Sequence, residues 1–184
     1  MAAPLAPVTD LAAFSQRDVD PATARVALDY ASGAIRSYCG WSLSREIVTG
    51  KRLTGTGRRS LWLPTLYLVS VDAVSVDGVA LTSLVDFDWT ENGQLVAAYR
   101  WPRGARAVTV SFTHGYEPDD PRMDMVRGVT VAAAGRLIDN PMNYGNWSVG
   151  NESYGLRGNA ADVSAVLSAA EKHQLDSLQL PVVV

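Results

Sequence analysis

The sequence has one cysteine and two histidines in 184 residues. A single thiol, Cys39, excludes an intrachain disulfide. Its place near a predicted helix end reads as a small buried hydrophobe rather than a reactive thiol. No stretch approaches the roughly 18 consecutive apolar residues of a membrane helix. The opening "MAAPLAPVTD" lacks the basic start and apolar run of a secretory signal, so a reducing cytoplasm is the expected place of synthesis. Basic blocks are also missing. Arg58 and Arg59 stand together and Arg100, Arg103 and Arg106 are scattered, whereas tight nucleic-acid binding needs a basic stripe that displaces counterions. There is no HExxH, CxxC, GxSxG or P-loop, no internal repeat and no low-complexity tract.

What is present is ordinary globular composition: 47% hydrophobic, 19% charged, net charge −3. The length suits one domain, and it can bury a core without staples. "DVDPATARVALDYASGAIRSYCGW" carries a strong helix signal, with Asp20 as cap, Pro21 at the first helical position and Gly40 as the stop. Ala24, Leu28, Ala31 and Ile35 share a face, flanked by Ala27, Ala34 and Tyr38. Arg25, Asp29, Ser32 and Arg36 form a polar face, with Arg25 and Asp29 at pairing distance. The earlier "VTDLAAFSQ" predicts a short helical piece capped by Thr9 or Asp10.

The middle changes period. "REIVTGKRL", "SLWLP", "LYLVSVDAVSVDG", "VALT", "DFDWTENGQLVAA" and "ARAVTVSFTHGY" read as short strands, rich in Val, Leu, Thr and aromatics. Asp77-Gly78 and Asn92-Gly93 are the best hairpin turns, because these residues tolerate positive φ. In "LVSVDAVSV", Val69, Val71 and Ala73 alternate with Ser70 and Asp72, which predicts a strand with one wet face. Helix returns at "PDDPRMDMVRGVTVAAAGRLIDNP", with Asp120 as cap, Pro121 in the first turn and Pro141 at the end. Its expected apolar face is Met125, Val126, Val129, Ala132, Ala133, Leu137 and Ile138. "MNYGNWSVGNESYGLRGNAADVSA" is rich in glycine and asparagine and reads as an extended arm or mobile loop. "LSAAEKHQLDSLQ" follows as a short helix, with Ser168 and Glu171 at capping-box spacing.

The expected fold class is therefore α+β: a helical core of two long helices plus short ones, a β-rich insertion, an extended arm, and a C-terminal helix with an apolar tail. Within a single domain over 1–184, the parts are 9–40 helical, 44–116 β-rich, 120–140 the long helix, 143–166 the arm, and 167–184 the closing helix and tail.

Candidate chemistry is sparse. His173 falls on the polar side of a helix and reads as solvated. His114, in "SFTHGYEPDD", lies near Glu117, Asp119 and Asp120 in sequence. A metal-dependent hydrolase would use these as nitrogen and oxygen ligands, and the competing reading is a polar turn that caps the next helix. Gly55 and Gly57 beside Arg58 and Arg59 lack the following helix that a phosphate cradle needs, so a hairpin turn is expected. Asp86 and Asp88 lie on one strand face, where paired glycosidase carboxylates would need opposite walls. The five tryptophans, among them Trp62, Trp89 and Trp101, raise a carbohydrate- or host-binding β module as an alternative, against core or interface packing. No catalytic set assembles, and no cofactor or metal is expected.

Several stretches in this order are similar to the head–tail connector, or adaptor, proteins of long-tailed double-stranded DNA bacteriophages. They are "IRSYCGW", "LWLPTLYLVSVDAVSVDGVAL", "VTVSFTHGYE" followed by "PDDPRMDMVRGVTVAAAGRL", "SVGNESYG" and "LSAAEKHQLDSL". The resemblance runs from about Val8 to Leu180 and rests on order and spacing rather than on any one piece. It implies a non-enzymatic virion protein of the neck, assembled in the host cytoplasm. It further implies a homo-oligomeric ring, typically of twelve copies, beneath the portal protein. Such a ring extends the DNA channel without sequence-specific DNA binding and meets a downstream neck or tail-terminator protein, with no membrane involved.

In that setting the arm residues Tyr144, Trp147, Val149, Tyr154 and Leu156 are expected to order against a neighbouring subunit. The tail Leu180, Pro181, Val182, Val183 and Val184 is too short for a helix. Pro181 keeps it extended and the valines favour a β conformation. It is therefore expected to dock on a sheet edge or groove of a partner, the portal. Packing on its own domain and disorder remain the alternatives.

Overall fold

A computed structural model describes residues 3–15, 18–140, 146–149, 152–155 and 166–181. The chain divides into two compact units: residues up to Cys39 together with Asp119–Gln179, and Gly40–Pro118 together with the chain from Leu180 onward. The class is α+β.

The first unit is helical. Helix α1 spans Val8–Ser15 and α2 spans Pro21–Cys39. The Asp20 carboxylate accepts the Thr23 N–H at 2.9 Å, and Gly40 follows α2 at φ +80°, so start and stop use the residues that favour them. Thr9 and Asp10 lie inside α1, not at its cap. The turn instead closes on the Pro7 carbonyl, which accepts the Asp10 N–H. The buried face of α2 includes Ala24, Leu28, Ala31 and Ile35 as expected, and also Ser32. Ser32 belongs inside because its Oγ accepts the Leu5 N–H at 2.9 Å and donates to the Leu28 carbonyl at 2.6 Å. A buried hydroxyl satisfied twice carries little desolvation cost.

Helix α3 spans Pro121–Asp139, with Asp120 as its cap. Its buried residues are Met123, Val126, Val129, Thr130, Val131, Ala133 and Ala134, a face rotated from the expected one. Met125 is only half-buried. Thr130 is tolerated inside because its hydroxyl donates to the Val126 carbonyl at 2.7 Å. Helix α4, Ala169–Leu175, carries the full Ser168–Glu171 capping box and runs into a 3₁₀ turn at Asp176–Leu178. Ile35 and Cys39 on α2, Val126 and Ala133 on α3, and Leu175 on α4 are all buried in this unit.

The second unit is antiparallel β. Its strands are β1 (Glu46–Thr56), β2 (Ser60–Trp62), β3 (Leu68–Val76), β4 (Val79–Leu81), β5 (Phe87–Trp89), β6 (Gln94–Ala97) and β7 (Arg103–His114). One sheet runs β1-β7-β3-β4 and a second runs β2-β6-β5. They share a core that includes Leu61, Phe87, Leu95, Trp101, Val110 and Phe112. The Asp77-Gly78 turn, both residues at positive φ, closes β3 onto β4, and Gly93 at φ +86° closes β5 onto β6.

Two expectations fail here for identifiable reasons. The alternation in β3 does not hold. Leu68 and Val74 are buried while Ala73 is exposed. Pairing with β7 slips between Leu68 and Ser70 and again between Val71 and Ala73, and each bulge advances the inward face by one residue. The glycine segment 55–59 is not a hairpin turn. β1 and β2 lie in different sheets, so it carries the chain from one sheet to the other. At Gly55 an added Cβ would stand 2.0 Å from the Pro102 carbonyl oxygen, which explains the glycine.

In the arm, β8 (Asn146–Val149) and β9 (Glu152–Gly155) form a two-stranded antiparallel hairpin in which Trp147 is opposite Tyr154. An extended arm or mobile loop is expected there from the sequence, and the pairing of β8 with β9 is the added feature.

Candidate functional site

The polar candidates do not form a catalytic arrangement. His114 is the last residue of β7 and is buried. Its ring lies 6.0 Å from that of Trp41 and 5.2 Å from that of Phe112. Burial holds its pKa below the ordinary imidazole value, against an opposing pull from Glu46. Its Nδ1 has no hydrogen-bond partner among the described residues. Glu117 is engaged by Arg45, and Asp120 caps α3. Among the described residues, no three His, Cys, Asp or Glu side chains stand close enough together to hold a metal ion. The Asp86 carboxylate accepts the Thr82 N–H at 2.8 Å and closes a local turn, while Asp88, within β5, accepts the N–H of its neighbour Trp89. Burial pushes the Cys39 thiol up to about 11, consistent with an inert packing residue. His173 is exposed and stands 3.2 Å from Asp176.

The tryptophans are mostly structural. Trp41 and Trp101 are buried, Trp89 is half-buried, and Trp62 is 48% exposed. A sugar platform, which needs open aromatic faces, is not built from these. The hydrophobics that do reach solvent are elsewhere. Phe14, Val26 and Tyr30 are exposed on the helical unit, and Ile47, Val79, Leu84, Val85 and Tyr99 on the β unit. Leu84 is 82% exposed and holds φ +64°, a conformation that β-carbon sterics disfavour. On the helical unit a groove of about 580 Å³ runs past Val26, Tyr30, Leu137 and Ile138.

The β unit also carries an apolar groove of about 620 Å³. Leu53 of β1, Trp62 of β2, and Leu63, Pro64 and Leu66 beyond β2 line it. Lys51, Thr65 and Asn92 supply its few polar groups. Strand alternation explains the lining: Leu61 and Leu63 turn into the core, so Trp62 must turn outward. That signal was legible in "SLWLP", but not that β1 would stand beside it.

The predicted tail begins in the same place. Leu180 is half-buried, placed where a Cβ on Gly40 would meet its side chain at 3.6 Å, and Leu180 and Pro181 both line the groove. Val182, Val183 and Val184 lie outside the described residues. Of the arm residues, Trp147 and Val149 fall on β8 and Tyr154 on β9, while Tyr144 and Leu156 lie outside the described residues. The sequence signal for this hairpin is Gly150-Asn151 between the paired residues 149 and 152, a two-residue turn type.

Among the described residues no helix is long and apolar enough to cross a membrane. No family model matches this sequence and no curated protein matches it. Solved structures do match. A chain of the virion of a native gene transfer agent (GTA) particle superposes with a TM-score of 0.57 at 14% identity, over 100% of this chain and 95% of that one. A chain from the neck of an empty GTA particle, computed with C6 symmetry, gives 0.54 at 16% identity over 100% and 95%. One from the neck of a native GTA particle, computed with C12 symmetry, gives 0.50 at 14% over 97% and 93%. At these identities the likeness establishes a shared fold along essentially the whole chain.

Proposed function

We propose that this chain is a virion structural protein of the phage type, a head-to-tail adaptor that forms a ring in the particle neck. The observation that carries the reading is the end-to-end fold match with chains from GTA necks and virions, two of them in assemblies computed with C6 or C12 symmetry.

In this reading twelve copies close a ring beneath the portal and extend the DNA channel. A net charge of −3 suits a conduit through which DNA slides without sequence-specific contacts. The arm, with Tyr144, Trp147, Val149, Tyr154 and Leu156, orders against the next subunit. The segment Leu180–Val184 docks on the portal, and the opposite face of the ring receives a downstream neck or tail-terminator protein. The role is structural, not enzymatic.

Deletion of the gene tests this. Particles made without the protein accumulate as DNA-containing heads separated from complete tails, and the purified protein supplied in trans restores joining. Normal joined particles in its absence would overturn the reading.

A further inference from the structure

We propose that two unlike surfaces of this chain meet between neighbouring copies. The Leu84–Val85 loop and Tyr99 of one copy's β unit seat in the α2–α3 groove of the next copy's helical unit. Arginines beside the loop face carboxylates beside the groove. The contact rests on the ring of the proposed function and names the surfaces that close it.

The first observation is a loop that presents apolar side chains to solvent. Leu84 is 82% exposed, Tyr99 is 87% exposed, and Val85 is exposed with them. They form one patch: Leu84, Val85 and Ala98 line a common hollow, and Ala98 donates its N–H to the Asp86 carbonyl. Leu84 holds φ +64°, where glycine or asparagine would sit with less strain. The loop is nevertheless braced. The Leu84 N–H donates to the Phe87 carbonyl at 2.7 Å, the Asp86 N–H to the Thr82 carbonyl at 2.9 Å, and the Thr82 N–H to the Asp86 carboxylate at 2.8 Å. The Leu84 side chain buries little in its own fold, so the strain is not repaid there. Strain of this kind collects where a side chain must be held in place for a contact.

The second observation is charge. Arg58, Arg59, Arg100 and Arg103 gather beside the loop. The Trp101 N–H donates to the Arg58 carbonyl, Arg59 Nε donates to the Ala97 carbonyl, Arg100 follows Tyr99, and Arg103 is paired with Thr56 across the sheet. Among the described residues none of these four has a carboxylate partner, whereas Arg25, Arg45, Arg122, Arg127 and Arg136 all do. The helical unit has the opposite balance, with twelve acidic and eight basic side chains against seven and eight in the β unit.

The third observation is the groove itself. Val26 and Tyr30 stand exposed along it, and Leu137 and Ile138 form its other wall. Its volume of about 580 Å³ admits several side chains together. Carboxylates stand beside it: Asp20 accepts the N–H of the lining residue Thr23, and Asp139 follows Ile138. The basic side chains of those turns, Arg25 and Arg136, are already paired with Asp29 and Glu171. Loop and groove are thus complementary in both polarity and charge. Unlike patches on one chain make a head-to-tail contact, the kind that closes as a ring. DNA would use the arginines but leave Leu84 and Val85 uncovered, so the apolar half of the patch favours a protein surface.

The test uses purified full chain at high concentration in a Cys39→Ser background. Val85→Cys protein is mixed with Ala22→Cys protein and treated with a short bismaleimide. Mixed dimers are expected, with none from either variant alone, and a chain carrying both substitutions is expected to give a ladder of multimers. Val79→Cys on β4 mixed with Ala22→Cys is the control and is expected to give no bridge. Leu84→Gly relieves the strain and removes the side chain. It is expected to weaken self-association in sedimentation at least about tenfold without lowering the melting temperature. Dimers from Val85→Cys protein alone would show a like-on-like contact and overturn the proposal, as would the absence of any bridge. A lower melting temperature in Leu84→Gly would mean that Leu84 serves its own fold, and would overturn it too. Salt-dependent binding of random-sequence duplex DNA, lost in Arg58→Glu/Arg59→Glu protein and accompanied by no bridge, would assign the patch to nucleic acid instead. Missing bridges while gene deletion still separates heads from tails would fail the contact alone. Bridged protein whose deletion leaves joined particles would fail the adaptor reading alone.

Discussion

Arg136 grips Glu171 with both arms of its guanidinium: Nη1 donates to Oε1 at 2.8 Å and Nη2 to Oε2 at 2.5 Å. The same carboxylate accepts the Ser168 N–H at 2.8 Å and the Ser168 hydroxyl at 3.0 Å. One buried carboxylate thus fixes α3 to α4 and caps α4. Burial alone would raise the Glu171 pKa. The hydrogen bonds from Arg136 and Ser168 outweigh it and leave the pKa below the ordinary glutamate value.

Glu171→Ala is expected to cost about 1.5–3 kcal/mol, the range of hydrogen bonds to charged groups, because it removes the ion pair and the cap together. Arg136 keeps partial access to water, which limits the loss. Asp29→Ala, which breaks the exposed Arg25–Asp29 pair, should cost less than about 1 kcal/mol. Denaturant unfolding measures both. Equal losses would show that the Arg136–Glu171 junction is no more than a surface pair.

His114 makes stability depend on pH. Its folded pKa lies below the unfolded value of about 6.5, chiefly through burial. The unfolded chain therefore takes up a proton first as pH falls, and its uptake favours unfolding. The contribution is fully present above about pH 6.5 and declines as pH falls from there toward the folded pKa. His114→Phe is expected to flatten the fall in melting temperature between about pH 7 and about pH 5. Glu46→Gln, which removes the opposing pull, is expected to steepen it. An unchanged slope in His114→Phe would mean that another group sets the dependence.

Gly115 separates the end of β7 from the turn into α3 and holds φ +92°. A Cβ there would stand 2.2 Å from the Ser44 carbonyl oxygen, a backbone atom that cannot swing aside. Gly115→Ala is expected to destabilise by more than about 2 kcal/mol, combining backbone strain with a clash. Gly78→Ala, with open space around it but φ +87°, isolates the strain and should cost about 1 kcal/mol. Thermal unfolding of the two variants separates the terms, and equal values would show that the Ser44 contact yields.

What was legible in the sequence was local. Asp20, Pro21 and Gly40 marked α2, Ser168 and Glu171 marked the cap of α4, and Asp77-Gly78 marked a hairpin, because each acts on its own backbone. What was not legible depends on distant partners. Ser32 is buried only because Leu5 brings it an N–H. The phase of β3 is set by bulges that exist only against β7. The groove needs β1 and β2, which belong to different sheets, to stand side by side. The arm, too, carries a two-residue Gly150-Asn151 signal between the residues that pair as β8 and β9.

Placed in the ring, the arm makes a further prediction. A two-stranded hairpin alone is marginal in water, so β8 and β9 should exchange their amides rapidly in the free protein. On the proposal that a neighbouring subunit covers Trp147 and Tyr154, they should be protected in assembled necks. Equal protection in both states would remove the arm from the subunit interface.

The most direct measurement of the central claim is an electron cryomicroscopy reconstruction of the neck of particles that carry this chain, made without imposed symmetry. The account predicts a closed ring of copies of this chain, coaxial with the DNA channel and seated between portal and tail. Finding the chain elsewhere in the particle, or as isolated copies that do not encircle the channel, would contradict it.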